Sequence, residues 1–266
     1  MFKNKTFILF AGMPRTGSTL LASILSQNPH VHVSGNSPLV ELMWSAYKSV
    51  DSEGVKTDLN AQKRLEEMRA DLVASTIKSY YKNATDEKFI IEKSRGWLLA
   101  ANRKLAIKYF GKDVKIICFR RPVEQILSSF YNLMHSTCSD EEFYARILKT
   151  KIPIHDNIKN CKLSKFINSP NVLHLEYDDI INNTYDVLRK VYKFCDLPKH
   201  PDFIDPVSAH DLSNITRPFE EDDFSYDINK LHEVRPTISR RSHKVELPEQ
   251  FLKVGQELTK QLYRYG

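Results

Sequence analysis

Residues 11–25, AGMPRTGSTLLASIL, set two glycines five positions apart, Gly12 and Gly17, between an apolar run and a stretch with helical spacing. The run is Thr6 to Ala11, TFILFA, a short continuous apolar segment that reads as a buried strand. Thr19 to Leu25 repeats its apolar residues at helical intervals, and Asn28-Pro29 ends it. Strand, glycine turn and helix in this order make a phosphate cradle: backbone N–H groups of the loop and the first helical turn converge on an anion, aided by the helix dipole. Ser18 and Thr19 add hydroxyl donors at the mouth of the helix. The same residues also fit a plain tight turn with an N-cap. In the Walker A pattern a lysine follows the second glycine and reaches the β- and γ-phosphates. Here Ser18 follows Gly17, and the nearest cation, Arg15, lies inside the loop.

Beyond the loop the pattern alternates. Lys88 to Glu92 (KFIIE), Val114 to Phe119 (VKIICF) and Asn171 to Glu176 (NVLHLE) read as further strands. Helical spacing covers Pro38 to Lys48, roughly Leu59 to Tyr81, Trp97 to Tyr109, Thr184 to Phe194 and Pro248 to Tyr263. Pro122 stands where the first turn of another helix tolerates its missing N–H. The alternation predicts an α/β protein: a P-loop-like three-layer fold with a central, mostly parallel sheet flanked by helices. No linker-like composition separates two cores, so 1–266 is expected to be a single domain. Within it, 1–197 would be a nucleotide-binding core, and 198–266 an irregular C-terminal region with the last helix.

Composition limits the partners. Of 266 residues, 41% are hydrophobic and 27% charged, as in ordinary soluble globular proteins. The net charge of +6 and a pI near 9.0 suit an anionic ligand. The basic residues are scattered and carry no recognition motif, which speaks against nucleic acid. The densest cluster, Arg235 to Lys244, reads as a solvated loop. No stretch has the length of a membrane span or the form of a signal peptide, so a cytoplasmic protein is expected. The four cysteines, Cys118, Cys138, Cys161 and Cys195, lack metal-ligand spacing and are expected to be free thiols.

The missing loop lysine bears on the chemistry. A kinase or nucleoside triphosphatase uses that lysine with magnesium to neutralise the γ-phosphate. Magnesium usually also needs an aspartate at a neighbouring strand end, whereas VKIICF runs into Arg120-Arg121. A metal-free anion site is the expectation, and a divergent P-loop nucleotide kinase is the enzymatic alternative.

PRTGSTLLASIL resembles the 5′-phosphosulfate loop of sulfotransferases that use 3′-phosphoadenosine 5′-phosphosulfate (PAPS), in particular the bacterial and tyrosylprotein branch. In VKIICFRRPVEQILSSFYNL, Arg120 and Ser128, eight positions apart, match the family's strand-end arginine and helix serine that bind the 3′-phosphate. A guanidinium offers a phosphate a planar, charge-assisted fork. The family usually has Asp at position 121, where this chain has Arg, a departure that leaves open whether Arg121 contacts the ligand or points to solvent. KFIIEKSRGWL resembles the family's strand and lysine segment, which implies Lys93 as a cation near the transferring sulfonate. Arg95 falls where a proline or a following arginine is expected. Tyr177 matches the tyrosine of the [YF]-E-D-L segment, implying contact with adenine or the 3′-phosphate.

The resemblance therefore implies PAPS as donor, PAP (3′-phosphoadenosine 5′-phosphate) as product and no metal. Arg15, Thr16, Gly17, Ser18, Thr19, Arg120, Ser128 and Tyr177 would bind the nucleotide, and Arg15 and Lys93 would stabilise the transferring group. The acceptor would be a small molecule, saccharide or peptide, attacked through a hydroxyl or an amine. Tyrosylprotein sulfotransferases carry their general base in a G-E-E segment after the loop helix. Here Gly35 or Asn36 stands at that position, and Glu41 is the nearest carboxylate, with His32 and Glu92 as further candidates. Ser213, Arg217, Arg240 and Lys244 are candidate contributors from the C-terminal region. A protein that keeps the nucleotide site for binding alone is the non-enzymatic alternative.

Overall fold

Five strands, in spatial order Val31–Val33, Phe89–Lys93, Thr6–Gly12, Lys115–Arg120 and Val172–Glu176, pair as one parallel sheet. The structure is a computed structural model and describes residues 4–35, 37–51, 62–84, 87–149, 169–199, 205–216, 236–239 and 245–263. In chain order the elements are β1 (Thr6–Gly12), α1 (Ser18–Leu25), β2 (Val31–Val33), α2 (Leu39–Lys48), α3 (Gln62–Tyr80), β3 (Phe89–Lys93) and α4 (Ala100–Phe110). There follow β4 (Lys115–Arg120), α5 (Val123–Met134), α6 (Asp140–Phe143), β5 (Val172–Glu176), α7 (Tyr177–Asn182), α8 (Thr184–Cys195) and α9 (Glu249–Tyr263).

Period-two alternation decides which side chains meet which helices. Ile8 and Phe10 of β1, with Ile91, Ile117 and Phe119, pack under α1 and α8. Phe7, Leu9 and Ala11, with Ile90, Ile116 and Cys118, pack against α2, α3 and α4 on the opposite face. Both faces are covered, which is why the strands read as unbroken apolar runs. A third cluster joins Met13 of the loop to Ile126 and Phe130 of α5 and to Phe251, Leu258 and Leu262 of α9. The described part of the C-terminal region thus enters the packing: Val207 and Ile215 join the first cluster.

The strand order reverses at β1, which has β3 on one side and β4 on the other. In such sheets, ligands bind outside the carboxyl ends of the strands at this reversal. The expected α/β fold with a parallel sheet flanked by helices is the fold observed.

Two details differ from the sequence pattern. Helical spacing from Trp97 to Tyr109 resolves into a 3₁₀ turn, Arg95–Leu98, and then α4, with Leu99 extended between them. Ser94 caps the turn by accepting the Gly96 N–H at 3.2 Å, and Asn102 donates to the Gly96 carbonyl at 2.6 Å. Burial of Trp97 and Leu98 anchors the turn to the sheet. The three-residue β2 is too short to show a period of its own, yet it extends the sheet beside β3. Among the described residues, no helix is long and apolar enough to cross a membrane. Cys118, Cys138 and Cys195 form no disulfide among the described residues, and Cys161 lies outside them.

Candidate functional site

β1 delivers the chain to the loop through Gly12. A Cβ there would stand 2.9 Å from the Phe119 carbonyl oxygen, so only glycine lets β1 and β4 meet at this level. At the other end Gly17 holds φ 84°, a left-handed conformation that glycine adopts without penalty. Between them Arg15 also has a positive φ, 64°, uncommon for a residue with a side chain. Three contacts hold it: its Nε donates to Ser129 Oγ at 3.0 Å, its carbonyl accepts from Arg121 Nη1 at 2.7 Å, and Thr16 Oγ1 beside it donates to the Met13 carbonyl at 2.8 Å. No side chain caps α1, whose N-terminal residues are Ser18 and Thr19. Uncapped N–H groups behind a glycine turn are what an anion site requires.

The cation missing from the loop sequence comes from the neighbouring strand. Lys93 ends β3 in register with Phe10, and its Nζ donates to Thr19 Oγ1 at 2.9 Å. Register also puts Arg120 at the end of β4, so Arg15, Lys93 and Arg120 all stand at the carboxyl end of the sheet.

Arg120 Nη1 lies 4.0 Å from Glu176 Oε1 at the end of β5, and Tyr263 of α9 donates to the other carboxylate oxygen at 2.7 Å. Burial, then the adjacent Glu176 carboxylate, pushes the Tyr263 hydroxyl pKa up, so this proton stays on the tyrosine. Ser128 lies on α5 and is half-buried, and its hydroxyl has no partner among the described residues. The next serine, Ser129, is the buried one that holds Arg15. α9 fixes α5 from outside: Thr259 Oγ1 accepts the first N–H of α5, from Val123, at 2.6 Å. Asn132 adds a two-way clasp to the backbone of Val245, at 2.8 and 3.0 Å.

Arg121 does not point to solvent. It is buried, donates to Gln125 Oε1 at 3.2 Å as well as to the Arg15 carbonyl, and stacks 3.8 Å from the centre of the Tyr177 ring. Tyr177 in turn lies against Gly17, where a Cβ would come within 3.1 Å of it. The pair therefore braces the loop from the β5 side. Sequence reasoning missed Ser129 and Glu176 as parts of the site and left the place of Arg121 open. The Arg120-Arg121 doublet was the only local signal, because the partners lie far along the chain.

The carboxylates divide by exposure. Glu41 is exposed in the first turn of α2. Glu92, beside Lys93 but on the opposite face of β3, is sealed in the core; it accepts from Ser34 Oγ at 3.2 Å and from the Tyr81 hydroxyl. Its Oε1 has no partner among the described residues, and burial raises its pKa to about 7. His32 pairs in register with Ile90, three residues short of Lys93, and faces Glu87 and Tyr81. Asn36, Arg217, Arg240 and Lys244 lie outside the described residues. Ser213 is exposed and bonded to Asp211 at 2.6 Å. Among the described residues, no group of three or more His, Cys, Asp or Glu side chains could hold a metal ion.

Sheet order and glycine loop together define a P-loop-like α/β protein with its cationic end at the strand reversal. The sequence profile of the sulfotransferase family matches residues 7–202, most of the chain, and the protein belongs to that family. No curated protein sequence matches it. Among solved structures, it is similar to the sulfotransferase domain of the olefin synthase of Synechococcus PCC 7002, at 18% identity and TM-score 0.60, over 99% of this chain and 96% of that one. It is also similar to the sulfotransferase domain of the curacin biosynthetic pathway, at 13% identity and TM-score 0.57, over 98% of both chains. At these identities the likeness is one of fold.

Proposed function

We propose that the protein moves a sulfonate group from PAPS to an acceptor hydroxyl or amine. The observation that carries this reading is the 2.9 Å contact of Lys93 Nζ with Thr19 Oγ1, a cation at the mouth of a lysine-less glycine loop in a member of the sulfotransferase family. The residues fit the donor: an uncapped helix start for a 5′-phosphate, and Arg120 with the unpartnered Ser128 hydroxyl for a 3′-phosphate. Bound PAPS would supply a sulfonate that passes to the acceptor oxygen as the bridging bond to the 5′-phosphate breaks. Thr16, Gly17, Ser18 and Thr19 bind the 5′-phosphate through backbone N–H groups and hydroxyls. Lys93 and Arg15 set positive charge where negative charge develops on the transferring and leaving oxygens, which is worth most in a site shielded from water. Tyr177 supports the loop and offers the free part of its ring to adenine.

Of the two candidate bases Glu41 and Glu92, Glu41 is the exposed one, and in this reading it takes the acceptor's proton. A sulfonate carries one negative charge, so the chain's own cations suffice without a divalent metal. The acceptor is a small molecule, saccharide or peptide, and cysteines without a disulfide among the described residues suit a cytoplasmic protein. Packing of α9 on α5 favours reading 1–266 as one domain.

The test is calorimetric titration of metal-free protein with PAP, with ATP plus magnesium as comparison. PAP is expected to bind without metal, and Arg120→Ala to weaken it by about 2 to 4 kcal/mol, the scale for unpairing a charge-assisted contact. Magnesium-dependent ATP binding with no response to PAP would assign the loop to a kinase.

A further inference from the structure

Arg95 stands apart from the other arginines of the site. Arg15 is held by Ser129, Arg120 faces Glu176, and Arg121 has Gln125, a backbone carbonyl and an aromatic ring. Arg95 has no hydrogen bond or ion pair among the described residues, although it is half-buried two positions beyond Lys93. Burial lowers its pKa and no neighbouring carboxylate acts in the other direction. None of its nitrogens is among the sealed, unpartnered atoms, so the guanidinium still opens to solvent.

The backbone fixes the side on which it emerges. Ser94 is extended, with φ −145° and ψ 138°, so the strand alternation carries past Lys93 and Arg95 leaves the chain on the same side. Two residues of extended chain put its Cα about 6 to 7 Å beyond that of Lys93 along the strand direction. Lys93 already reaches the loop, so Arg95 lies further out along the strand direction, and in the proposed reaction an acceptor would meet it on the way to the loop.

A partly desolvated guanidinium without a counter-charge costs stability, and no hydrogen bond or ion pair among the described residues offsets that cost. We propose that Arg95 binds an oxyanion of the acceptor, a carboxylate or a phosphate ester, and so selects anionic acceptors over neutral ones. This deepens the sulfotransferase reading and rests on it. The guanidinium fork matches either group through two parallel hydrogen bonds, and it holds the acceptor oxygen beside the sulfonate site of Lys93.

The test uses PAP-saturated protein and a panel of aliphatic, aromatic and sugar hydroxy acids, each paired with its methyl ester, together with phosphate monoesters of matched diols paired with the free diols. Binding is read by calorimetry. The wild type is expected to prefer the anionic member of at least one pair by about ten- to a hundredfold, the range for one hydrogen-bonded charge. The acid and phosphate arms tell which oxyanion it takes. Arg95→Ala is expected to erase that preference while leaving PAP affinity unchanged, and Arg95→Lys to restore part of it. Melting of the ligand-free protein gives a second readout: Arg95→Ala should leave the midpoint equal or higher.

Normal PAP binding with no anion preference anywhere in the panel, including no binding at all, overturns the proposal alone. A preference that survives in Arg95→Ala, or a variant that melts far lower or fails to fold, also overturns it. Failure of the wild type to bind PAP removes the sulfotransferase reading and this inference with it.

Discussion

Lys93 and Thr19 are 74 positions apart in the chain, yet they form one contact at the loop mouth. A lysine within the loop would be held by the loop itself, whereas Lys93 is positioned by the register of β3 on β1. In the proposed sulfonate transfer its charge would sit where the leaving oxygen develops charge, so Lys93→Ala should lower kcat by about 10²- to 10³-fold, the scale for removing one preorganised donor. PAP affinity should change far less, because the loop N–H groups and Arg120 remain. Single-turnover rates beside PAP calorimetry separate the two effects, and equal losses in both would make Lys93 a general phosphate anchor instead. At this scale the sequence is legible where a site is contiguous. Gly12, Gly17 and Thr19 announce the loop by spacing, and Lys93 came into view through the family resemblance. Arg121 and Ser129 did not, because neither residue type nor local spacing tells that one holds the Arg15 carbonyl and the other its Nε.

Between elements, α9 packs on α5, which carries Ser128, and through Tyr263 bonds Glu176, which faces Arg120. α9 approaches so closely that a Cβ on Gly255 would stand 2.6 Å from Glu124 Cα, a backbone atom that cannot turn aside. Gly255→Ala should therefore destabilise the protein by about 1 to 3 kcal/mol, as overpacking does, despite the better helix propensity of alanine. Urea unfolding followed by circular dichroism measures it, and an unchanged or raised midpoint would mean that the two helices separate at no cost. In the sequence, α9 was evident as an amphipathic helix, but its partner was not. Likewise four strands were legible from their apolar runs. β2 was not, since three residues show no periodicity, and the helix foreseen from Trp97 split because Ser94 and Asn102 tie the Gly96 backbone into a turn.

On the scale of the molecule, two covered faces made the parallel sheet readable, since strands buried on both sides lose their alternation. The same burial hides a titration. Glu92 interrupts the apolar pattern of β3 and is sealed in the core, where burial, reinforced by the charge of Glu41, raises its pKa from 4.5 to about 7 against the opposing hydrogen bonds from Tyr81, Ser37 and Ser34. Between those two values the folded protein keeps a proton that the unfolded chain has lost. Folding therefore binds protons in that window, and stability falls as pH rises through it. The favourable contribution is fully present below about pH 4.5 and gone above about pH 7. The span corresponds to roughly 3 kcal/mol. Glu92→Gln keeps the shape and removes the charge, so it should be more stable than the wild type at pH 8 and nearly equal to it at pH 5. Chemical denaturation of both proteins at the two pH values gives the comparison. If the difference between them is the same at both, Glu92 stays ionised in the fold, and its Oε1 must find a donor beyond those of the described residues.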